Sequence, residues 1–570
     1  MNLKERAVQI IETDVLVIGG GIAGSFAAIK AKGENAKVVV FEKAAVERSG
    51  GASGGPLHWH GVRAPSLGIK GKEMIDTLDK AGGRGFVKGP QVLEGLIDKN
   101  FNAIMMKEAW DCICDLENWG VNMKWDNGEY YFLPDPVTGA MTELRFHGNG
   151  LKKKLFEQMR RSHIEIYERT MVIDLLTQNG GVVGATAFNI RTGDFIVCKA
   201  KAVIMATGWP TRTHHPIQGP TTGMYKMIFN VPDSGDGLAI AFRAGAELVN
   251  MEIPRRDRAL MWEHDAFIGK IGAINQIQPG IPIVNAKGEK IAVTSLRLSD
   301  QLKEEEAGRG PCYLDTTNLP EEAYQYIETA RGDEFPIASR MYKMRELDLR
   351  THKFEMSDYK PYFFSVYSGV LIDSDTRTRV KGLYAAGGNA GAGAQTGAMS
   401  GAAVFGAIAG KNAAKFISSI GELKIDEGQV EEQKKSIFTP ILRKEGVPPL
   451  ELEMKLRDIL ERYAGIFRSE GRLNQGIWRL NSARDKFFPE MIAKTPHELM
   501  SAQEVRNLFL IGEVHLLSAK ERKESGMGFY RQDYPEKMND PWKKSIIIWK
   551  EGSEIKIGHR KMPELKNELK

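Results

Sequence analysis

The pattern of apolar and polar positions at the start of the chain predicts a strand, a helix and a second strand. Residues 13–18 form a short apolar run and residues 37–41 form another, as is typical of buried strands. Between these runs lie a glycine cluster and a stretch of small residues, which indicates a tight turn that leads into a helix. This order predicts a βαβ unit with two parallel strands.

The same patterns divide the middle of the chain into segments. Residues 90–120 show helical periodicity, and in residues 164–208 β-rich stretches alternate with turn pairs. Residues 246–364 are mixed and lack glycine-rich signals of dinucleotide binding, which suggests an inserted domain. Strand and glycine signals return at residues 366–412.

The final part of the chain, from about residue 420, has a helical pattern. Apolar side chains recur there at helical spacing, at Leu452, Leu456, Ile459, Leu460 and Tyr463. Such a stripe indicates packing into a hydrophobic core.

Composition places the chain among ordinary globular proteins. Its 570 residues exceed what one hydrophobic core usually spans, so roughly two to four domains are expected. The chain is 42% hydrophobic and 26% charged, and its net charge of +5, with a pI of about 8.7, suits an acidic protein partner. Basic and aromatic residues are not interleaved in a long block, so we expect no binding of nucleic acid.

The four cysteines favour a reducing compartment. Cys112, Cys114, Cys198 and Cys312 form no CxxC pair and lack the repeated spacing that iron–sulfur clusters require, so we expect no metal on this chain. The charged start of the sequence does not resemble a signal peptide, and no apolar run is long enough to span a membrane. These features predict a cytoplasmic protein without a membrane span.

A glycine motif directly after the first strand indicates a dinucleotide. Gly19, Gly21 and Gly24 make the pattern GxGxxG, whose glycines permit the turn, the approach of a diphosphate and close packing of helix on strand. The diphosphate then lies on a helix N-terminus, where free N–H groups favour an anion. Glu42 ends the next strand, where a carboxylate would accept hydrogen bonds from ribose hydroxyls.

A second segment favours FAD over NAD. Residues 202–208 form an apolar strand that ends in a turn of the residues Ala206, Thr207 and Gly208. Flavoproteins with two dinucleotide-binding domains carry this Ala-Thr-Gly turn.

A third segment favours the same cofactor. Residues 378–388 have the pattern of strand, turn and strand and end in Gly387 and Gly388, and a helix rich in glycine and alanine is predicted over residues 389–410. Flavoproteins place such a helix start beside the N1/C2 carbonyl side of the flavin, where its dipole stabilises the reduced, anionic ring.

In order along the chain, these segments resemble the succinate dehydrogenase/fumarate reductase flavoprotein superfamily. The likeness covers most of the sequence and includes a C-terminal signature, R-x-E-S…R-x-D-Y-P. It is carried by residues 19–24, 42–43, 49–55, 206–208, 234–238, 243–246, 383–388, 522–525 and 531–535. Residues 42–50 are most similar to the α subunit of adenylylsulfate (APS) reductase, a branch of this superfamily.

The resemblance implies an α/β fold with a Rossmann-type FAD-binding domain, which is interrupted by an α+β capping domain and followed by a C-terminal helical domain. The implied FAD-binding domain consists of residues 1–245 and 365–420. Residues 246–364 would form the capping domain, residues 421–545 the helical domain, and residues 546–570 a C-terminal tail.

The resemblance also implies contacts to FAD beyond the glycine motif. They would come from Lys43, Ser49, Gly50, Gly51, Asp236, Gln395 and Thr396. In respiratory fumarate reductases a histidine follows the corresponding Arg-Ser pair and bonds covalently to the flavin, whereas this chain has Gly50. We therefore expect FAD to be bound non-covalently.

The sequence departs from the superfamily at the substrate site. Fumarate reductases carry His-Pro-Thr where this chain has residues 253–258, and a further histidine where it has Phe364. Because both carboxylate-binding histidines are missing, succinate and fumarate are not the expected substrates. The sequence also differs from APS reductase in the loop of residues 54–61, and the full α subunit of that enzyme is longer.

Candidates for substrate chemistry follow the glycine-rich loop that is expected beside the flavin. They are His58, Trp59, His60 and Arg63. A histidine there would exchange a proton near neutral pH. The alternative is that the aromatic side chains of this loop pack against the capping domain. Metal binding by His58 and His60 would need further ligands.

Three arginines lie at the expected entrance to the capping domain: Arg255, Arg256 and Arg258. Arginine forks bind carboxylate, phosphate or sulfate, so they favour a small anionic substrate. A solvated face and a partner-docking patch are the alternatives.

Two pairs of residues complete the candidates. Tyr362 and Tyr367 flank the return into the FAD-binding domain, and Tyr367 is a candidate proton donor unless it is structural. His214 and His215 follow the Ala-Thr-Gly turn and are expected in a surface loop.

The sequence is compatible with three functions. The first is an FAD-dependent oxidoreductase that is the catalytic subunit of a complex and exchanges electrons with a separate iron–sulfur or ferredoxin-like partner. The second is a stand-alone cytosolic ene-reductase or dehydrogenase of the fumarate reductase type. The third is a non-catalytic relay subunit, in which FAD only passes electrons on and no substrate pocket exists.

Overall fold

The computed structural model describes most of the chain. The described residues are 8–51, 58–62, 95–134, 141–214, 217–218, 225–226, 233–253, 281–291, 304–334, 343–344, 346–355, 367–394, 399–526, 529–535, 540–563 and 565–566. Their helices are α1 (Ile22–Gly33), α2 (Lys99–Asn118), α3 (Leu151–Arg161), α4 (Asp236–Arg243), α5 (Glu321–Glu334), α6 (Met399–Ile417), α7 (Glu427–Phe438), α8 (Pro449–Ala464), α9 (Glu470–Phe487) and α10 (Pro496–Glu521). Short 3-10 helices cover Val46–Arg48, Gly387–Asn389, Thr439–Leu442 and Asp540–Trp542.

The strands fall into a central sheet and several smaller ones. In chain order they are β1 (Val8–Ile18), β2 (Val38–Glu42), β3 (His58–Trp59), β4 (Tyr131–Pro134), β5 (Met141–Arg145), β6 (Glu165–Glu168), β7 (Thr170–Gln178), β8 (Gly181–Asn189), β9 (Phe195–Met205), β10 (Ile217–Gln218), β11 (Tyr225–Lys226), β12 (Leu248–Val249), β13 (Ile283–Val284), β14 (Tyr313–Asp315), β15 (Lys353–Glu355), β16 (Gly369–Val370), β17 (Leu383–Ala385), β18 (Phe467–Arg468), β19 (Tyr530–Arg531), β20 (Ser545–Glu551) and β21 (Glu554–Arg560).

The central sheet has seven strands in the order β6-β2-β1-β9-β8-β7, and β17 pairs with β9. Strands β6, β2, β1, β9 and β17 are parallel to their neighbours, whereas β7, β8 and β9 pair antiparallel. In the centre, Leu16 of β1 lies opposite Val39 of β2 and Val203 of β9. Every residue of β2 is buried, as expected where helices or loops cover both faces of a parallel sheet.

Helices α1 and α6 pack closely on this sheet because α6 presents two glycines one turn apart. A β-carbon at Gly406 would lie 2.3 Å from the carbonyl oxygen of Ala23, and one at Gly410 would lie 2.2 Å from that of Ala27. Any side chain at these positions would force the helices apart. Small residues therefore set the position of α1, and with it the position of the glycine motif at its start.

The mixed region after residue 246 contains a sheet of its own. Strands β13, β14 and β15 form an antiparallel three-stranded sheet, and α5 lies between β14 and β15 in sequence. A further four-stranded sheet has the order β16-β12-β20-β21. The predicted C-terminal tail thus contains a β-hairpin of β20 and β21. The hairpin pairs with β12, and its residues Ile546, Ile547 and Ile548 are buried. The predicted domain boundaries themselves remain predictions.

The helical region packs as its pattern predicts. Leu452, Leu456, Ile459, Leu460 and Tyr463 all lie on α8 and are buried in one core with α9 and α10. Helix α10 begins at Pro496, and the side chain of Thr495 accepts a hydrogen bond from Glu498 N over 3.2 Å. This is the ordinary N-terminal arrangement of a long helix.

The helix predicted over residues 389–410 begins later than the sequence pattern indicated. Residues Gly387–Asn389 form a single 3-10 turn, Ala392 has a positive φ of 53°, and α6 begins at Met399. Ala392 N donates to the carbonyl oxygen of Tyr367 over 2.8 Å, a long-range bond that holds the backbone out of a helix. Local composition could not reveal that partner.

Among the helices of the described residues, none combines the length and the apolar character that crossing a membrane would require.

Candidate cofactor site and active site

The glycine motif forms the turn between β1 and α1, and two of its glycines are fixed by the protein's own backbone. A β-carbon at Gly19 would lie 2.4 Å from the carbonyl oxygen of Ala206, and one at Gly24 would lie 1.8 Å from that of Gly19. At Gly21 the nearest described atom to such a β-carbon is the Cα of Gly50, 4.0 Å away. Gly21 is therefore the position at which a ligand can approach the backbone, as the motif predicts.

The start of α1 is suited to an anion. Gly21 is the N-cap residue, no side chain among the described residues caps the helix, and its first turn contains no acidic residue. The hydroxyl of Ser49 is buried close by in sequence to Gly50 and has no hydrogen-bond partner within the described ranges. These free donors fit the diphosphate of FAD, which would be held by the N–H groups of α1 and by the loop of Ser49, Gly50 and Gly51.

Glu42 is placed as the sequence predicts, at the end of β2 beside the glycine turn. Its Oε2 accepts a hydrogen bond from Gly20 N and its Oε1 accepts one from Ala44 N, each over 2.7 Å. A carboxylate has about four lone-pair sites, so these two bonds fix the group and leave acceptor capacity for ribose hydroxyls.

A buried lysine beside the motif was missed by the sequence analysis. Lys152, near the start of α3, is buried, and its Nζ donates to the carbonyl oxygen of Gly20. Burial lowers the pKa of Lys152 to about 8, against the opposing attraction of Glu42. The run of three lysines at 152–154 has the pattern of a solvated face, and only the fold separates the buried first member from the exposed Lys153.

The Ala-Thr-Gly turn is held by Asn389, a second residue that the sequence analysis did not select. Asn389 is buried, and its Oδ1 accepts from Thr207 N over 2.6 Å and from Thr207 Oγ1 over 3.1 Å. Its Nδ2 donates to the carbonyl oxygen of Gly208 over 3.0 Å. The Thr207 hydroxyl in turn accepts from Gly237 N over 3.0 Å. One amide group thus ties the segment after β17 to the Ala-Thr-Gly turn and, through Thr207, to the start of α4.

The paired glycines after β17 lie against the other two cofactor segments. A β-carbon at Gly388 would lie 2.9 Å from Cα of Gly208, and one at Gly387 would lie 2.7 Å from Cβ of Ala23 on α1. The structure therefore brings together all three glycine-rich segments that predicted FAD.

Lys43 and Asp236, both predicted as cofactor contacts, form a buried ion cluster with the helical region. Lys43 Nζ lies 2.6 Å from Asp236 Oδ2 and 2.6 Å from Glu504 Oε1 on α10. Asp236 also accepts from Asn507 Nδ2 over 2.8 Å. Burial acts against the charge of Lys43, but the two carboxylates raise the pKa of its amine above the ordinary value. Their predicted roles as FAD ligands remain predictions.

The same cluster continues into the loop after the Ala-Thr-Gly turn. Arg212 Nη1 lies 2.6 Å from Glu504 Oε2, and its Nε donates to Glu453 over 2.9 Å. Arg457 on α8 pairs with Glu453 as well. These ion pairs join the loop to the helical region. His214, in the same loop, is buried, and its ring centroid lies 6.1 Å from that of His515. The expectation of a surface loop was therefore wrong for His214.

His60, which follows the glycine-rich loop in sequence, lies in a buried polar group with Glu143 and Arg145. Strand β3 pairs with β5, and the His60 Nδ1 makes a short contact with the carboxylate of Glu143. Burial raises the pKa of Glu143 to about 8, although the Arg145 guanidinium, 3.9 Å away, opposes this shift. A hydrogen bond between the histidine nitrogen and the carboxylate needs a proton on one of them, and a carboxyl with this raised pKa can hold or release one near neutral pH.

The backbone of His60 is anchored at the start of α6. Ser400 Oγ donates to the carbonyl oxygen of His60 over 2.6 Å. Trp59, which precedes it, is fully buried, and its indole N–H has no partner among the described residues. Trp59 packs in the main hydrophobic core, and the alternative of packing against the capping domain remains a prediction, while His60 has a titratable partner.

Tyr367 is buried in a small apolar cluster with Leu96, Ile97 and Ile253. Its carbonyl oxygen accepts hydrogen bonds from Ala392 N over 2.8 Å and from Asn250 Nδ2 over 3.5 Å. Ile253 is the last described residue before Pro254 and the arginine segment. Tyr367 therefore lies beside the point from which the chain continues to these arginines.

Several predicted site residues lie outside the described residues. They are Arg63, His215, Arg255, Arg256, Arg258, Tyr362, Phe364, Gln395 and Thr396, together with the side chain of His58. Their proposed roles rest on the sequence.

The C-terminal signature residues hold the fold together. Arg522 is buried, and its Nε donates to Glu252 Oε1 over 2.7 Å. Arg531 Nη1 donates to the carbonyl oxygens of Ala519, over 3.0 Å, and Arg522, over 2.7 Å. A cation that binds the last carbonyls of α10 stabilises that helix end.

Comparison with known protein families finds two matches that together span most of the chain. The family described as FAD binding domain matches residues 14–404. The family described as fumarate reductase flavoprotein C-term matches residues 453–567. The first match contains the glycine motif, the Ala-Thr-Gly turn and Asn389, and the second contains the ion-cluster residues on α10 and the C-terminal signature.

Individual proteins are similar over almost the whole length. The chain is 26% identical to a subunit of the fumarate reductase (CoM/CoB) of Methanothermobacter marburgensis, with 95% of this chain and 97% of that protein covered. It is 24% identical to the L-aspartate oxidase of Yersinia pestis, with 93% and 97% covered. The structure of adenylylsulfate reductase from Archaeoglobus fulgidus superposes with a TM-score of 0.83 at 23% identity and covers 99% of this chain and 98% of that one.

Proposed function

Because the chain belongs to the FAD binding domain family and ends in a fumarate reductase flavoprotein C-terminal domain, we propose that it is a flavoprotein subunit that moves a hydride or electron pair between FAD and a small anionic substrate. The membership confirms the predicted superfamily, FAD as cofactor and an FAD-dependent oxidoreductase as the class of enzyme. The fold of adenylylsulfate reductase confirms the predicted fold class. The substrate, the electron partner and the mode of FAD attachment belong to the proposal.

The observation that carries the proposal is the buried pair of His60 and Glu143. FAD, when bound, supplies hydride or electron-pair transfer, and the protein must supply position, charge and protons. His60 follows the glycine-rich loop in sequence, its backbone is anchored to the start of α6, and its Nδ1 contacts the carboxylate of Glu143. We assign this pair the exchange of a proton with substrate, with His58, two residues earlier on β3, as the second candidate.

An anionic substrate is supported by the arginine segment. Arg255 and Arg256 follow Ile253, which packs against Tyr367. Arginine forks would orient a carboxylate, phosphate or sulfate group, and Tyr367 would serve as a further proton donor. A charged substrate also agrees with the names of the relatives, which contain those of the anions fumarate, L-aspartate and adenylylsulfate.

The electron partner is proposed to be a separate iron–sulfur or ferredoxin-like protein. Within the described ranges, no group of three or more His, Cys, Asp or Glu side chains is placed to hold a metal ion, and the four cysteines are unpaired thiols. The net charge of +5 would favour an acidic partner. The fumarate reductase relative is itself named as one subunit of its enzyme. Unpaired thiols suit a reducing compartment, and we propose the cytoplasm.

Non-covalent attachment of FAD is supported by the geometry of Gly50. Its φ of +84° is unfavourable for any side chain, and a β-carbon there would lie 3.1 Å from Cα of Gly21. A histidine, as in the covalent flavoproteins, would therefore crowd the glycine motif.

The proposal is tested by anaerobic half-reactions of the purified FAD-loaded chain. The flavin is first reduced by a low-potential viologen dye, and small anions are then screened for reoxidation of the flavin, beginning with unsaturated dicarboxylates and adenylylsulfate. His60→Gln should abolish reoxidation by the active anion and leave reduction by the dye unchanged. The matched control is His497→Gln, because His497 is exposed on α10.

The alternatives give different results in the same experiment. A relay subunit would show no anion-dependent reoxidation, and His60→Gln would change nothing. A stand-alone enzyme would turn over with a soluble donor at full rate without added protein. Co-purification of an iron–sulfur protein that accelerates turnover would support the subunit of a complex.

A further inference from the structure

Lys152 is the second residue of α3 and carries one of the few fully enclosed amines of the described chain. The residue is 4% exposed, and its Nζ donates to the carbonyl oxygen of Gly20. Gly20 stands between the two glycines that form the turn and face the ligand. Lys152 therefore contacts the cofactor motif directly, although it is 132 positions away in sequence.

The charge of Lys152 is incompletely balanced by the described residues. Its hydrogen bond goes to a neutral carbonyl, which also accepts from the Ser25 hydroxyl over 3.2 Å. Glu42 attracts the amine, but its two oxygens are bound to the backbone N–H groups of Gly20 and Ala44. A buried cation without a close counter-ion is costly to the folded state. Such an arrangement is expected where a ligand brings the missing negative charge.

The geometry of the turn identifies the part of the ligand that would bring this charge. The free N–H groups at the start of α1 favour a diphosphate, and Glu42 is placed for the adjoining ribose. Both features meet at Gly20, the residue that Lys152 holds. The adenosine diphosphate half of FAD is thus the nearest source of negative charge for this amine.

We propose that Lys152 is a further cofactor-binding residue, which balances the charge of the adenosine diphosphate half of FAD and fixes the glycine turn that receives it. In the apoprotein the buried charge of Lys152 lowers the stability of the fold, and binding of the dinucleotide removes this destabilisation. Because the role of Lys152 concerns affinity for FAD, it can be tested without knowledge of the substrate.

The test compares cofactor affinity with the stability of the apoprotein. Apoprotein is produced in flavin-depleted cells as wild type, Lys152→Met and Lys152→Arg. The matched control is Lys153→Met, which changes the exposed neighbour on the same helix. FAD binding is measured by quenching of flavin fluorescence, ADP binding by calorimetry, and apoprotein stability by thermal unfolding.

Lys152→Met should weaken both FAD and ADP by about tenfold to a hundredfold, the range for loss of a charged hydrogen bond. Its apoprotein should melt at or above the wild-type temperature, because a buried charge has been removed. Lys152→Arg should lose less affinity than Lys152→Met, and Lys153→Met should match wild type. Unchanged ADP affinity in Lys152→Met would overturn the proposal. A Lys152→Met apoprotein that melts well below wild type would also overturn it, since this indicates a purely structural lysine. If Lys152→Met fails to fold, an ADP affinity of Lys152→Arg equal to that of Lys153→Met would overturn the proposal, because moving the charge would then not affect the ligand.

Discussion

The amine of Lys43 lies 2.6 Å from a carboxylate oxygen of Glu504, although 461 positions separate the two residues. Lys43 follows β2 of the FAD-binding fold, and Glu504 lies on α10 of the helical region. Through Arg212 the contact extends to Glu453 on α8. The cluster thus joins the second strand of the dinucleotide unit to two helices of the C-terminal region, and its members Arg212, Glu453 and Glu504 are buried.

This cluster should contribute strongly to stability, because removal of one member leaves a buried charge unpaired. Lys43→Met in the apoprotein is expected to destabilise the fold by about 3–5 kcal/mol. Lys199→Met is the control, because it removes a solvent-exposed pair with Glu12 at a similar distance of 2.9 Å and should cost at most about 1 kcal/mol. Urea unfolding of both variants provides the measurement. Equal midpoints for the two would show that the buried cluster contributes no more than a surface pair.

Asn389 should be required for the shape of the cofactor site. Asn389→Ala removes the acceptor for Thr207 and the donor for Gly208 and leaves these groups buried. We expect FAD affinity to fall by at least about tenfold, since each unsatisfied buried group costs about 1–3 kcal/mol. Asn412→Ala is the control, because that residue also bonds a backbone carbonyl, of Asp375, but from the far part of α6. Fluorescence titration of FAD compares them, and equal affinities would remove Asn389 from the site.

The cofactor motif could be predicted because its requirements are local. Gly19, Gly21 and Gly24 lie within six residues where β1 leads into α1, and each meets a steric requirement that the spacing alone reveals. The long-range partners could not be predicted in this way. Glu143 and Asn389 acquire their roles through residues 83 and 182 positions away, and nothing in their own surroundings in sequence marks them.

The candidate substrate residues show the same division. His60 could be selected because it follows the loop beside the flavin, but its partner Glu143 depends on the pairing of β3 with β5. The sequence predicted a surface position for His214. Arg212, two residues earlier, forms ion pairs with helices more than 200 positions later, and the local sequence gives no sign of them. Sequence patterns therefore located the cofactor well and the proton-handling groups only in part.

Glu143 should make stability depend on pH. Burial raises the pKa of this carboxyl from an ordinary value of 4.5 to about 8, so the folded protein binds its proton more tightly than the unfolded chain. The stabilisation is fully present below the unfolded pKa and is lost as pH rises through the folded pKa. Relative to wild type, Glu143→Gln should therefore become more stable as pH rises from about 5 to about 8.5.

The check is thermal unfolding of both proteins across this pH range. Glu129→Gln serves as the control, because Glu129 is exposed and its variant should follow the wild-type curve. A stability difference between Glu143→Gln and wild type that does not change with pH would show that Glu143 does not titrate in this window.

The glycine-rich loop should tolerate a side chain at one of two adjacent glycines and not at the other. Gly50 has a φ of +84° and approaches Gly21 so closely that a β-carbon would lie 3.1 Å from its Cα, whereas no atom of the described residues lies within 4 Å of a β-carbon at Gly51. Gly50→Ala is expected to weaken FAD binding by about tenfold or more through strain and crowding at the diphosphate position, since 1.4 kcal/mol corresponds to tenfold. Gly51→Ala should weaken FAD binding less than Gly50→Ala, because the described residues leave room for its β-carbon. The same preparations, denatured in acid, should release yellow FAD into the supernatant. If colour stayed with the polypeptide, the flavin would be linked to another residue, and the role given to Gly50 would be wrong even if both affinities were as expected.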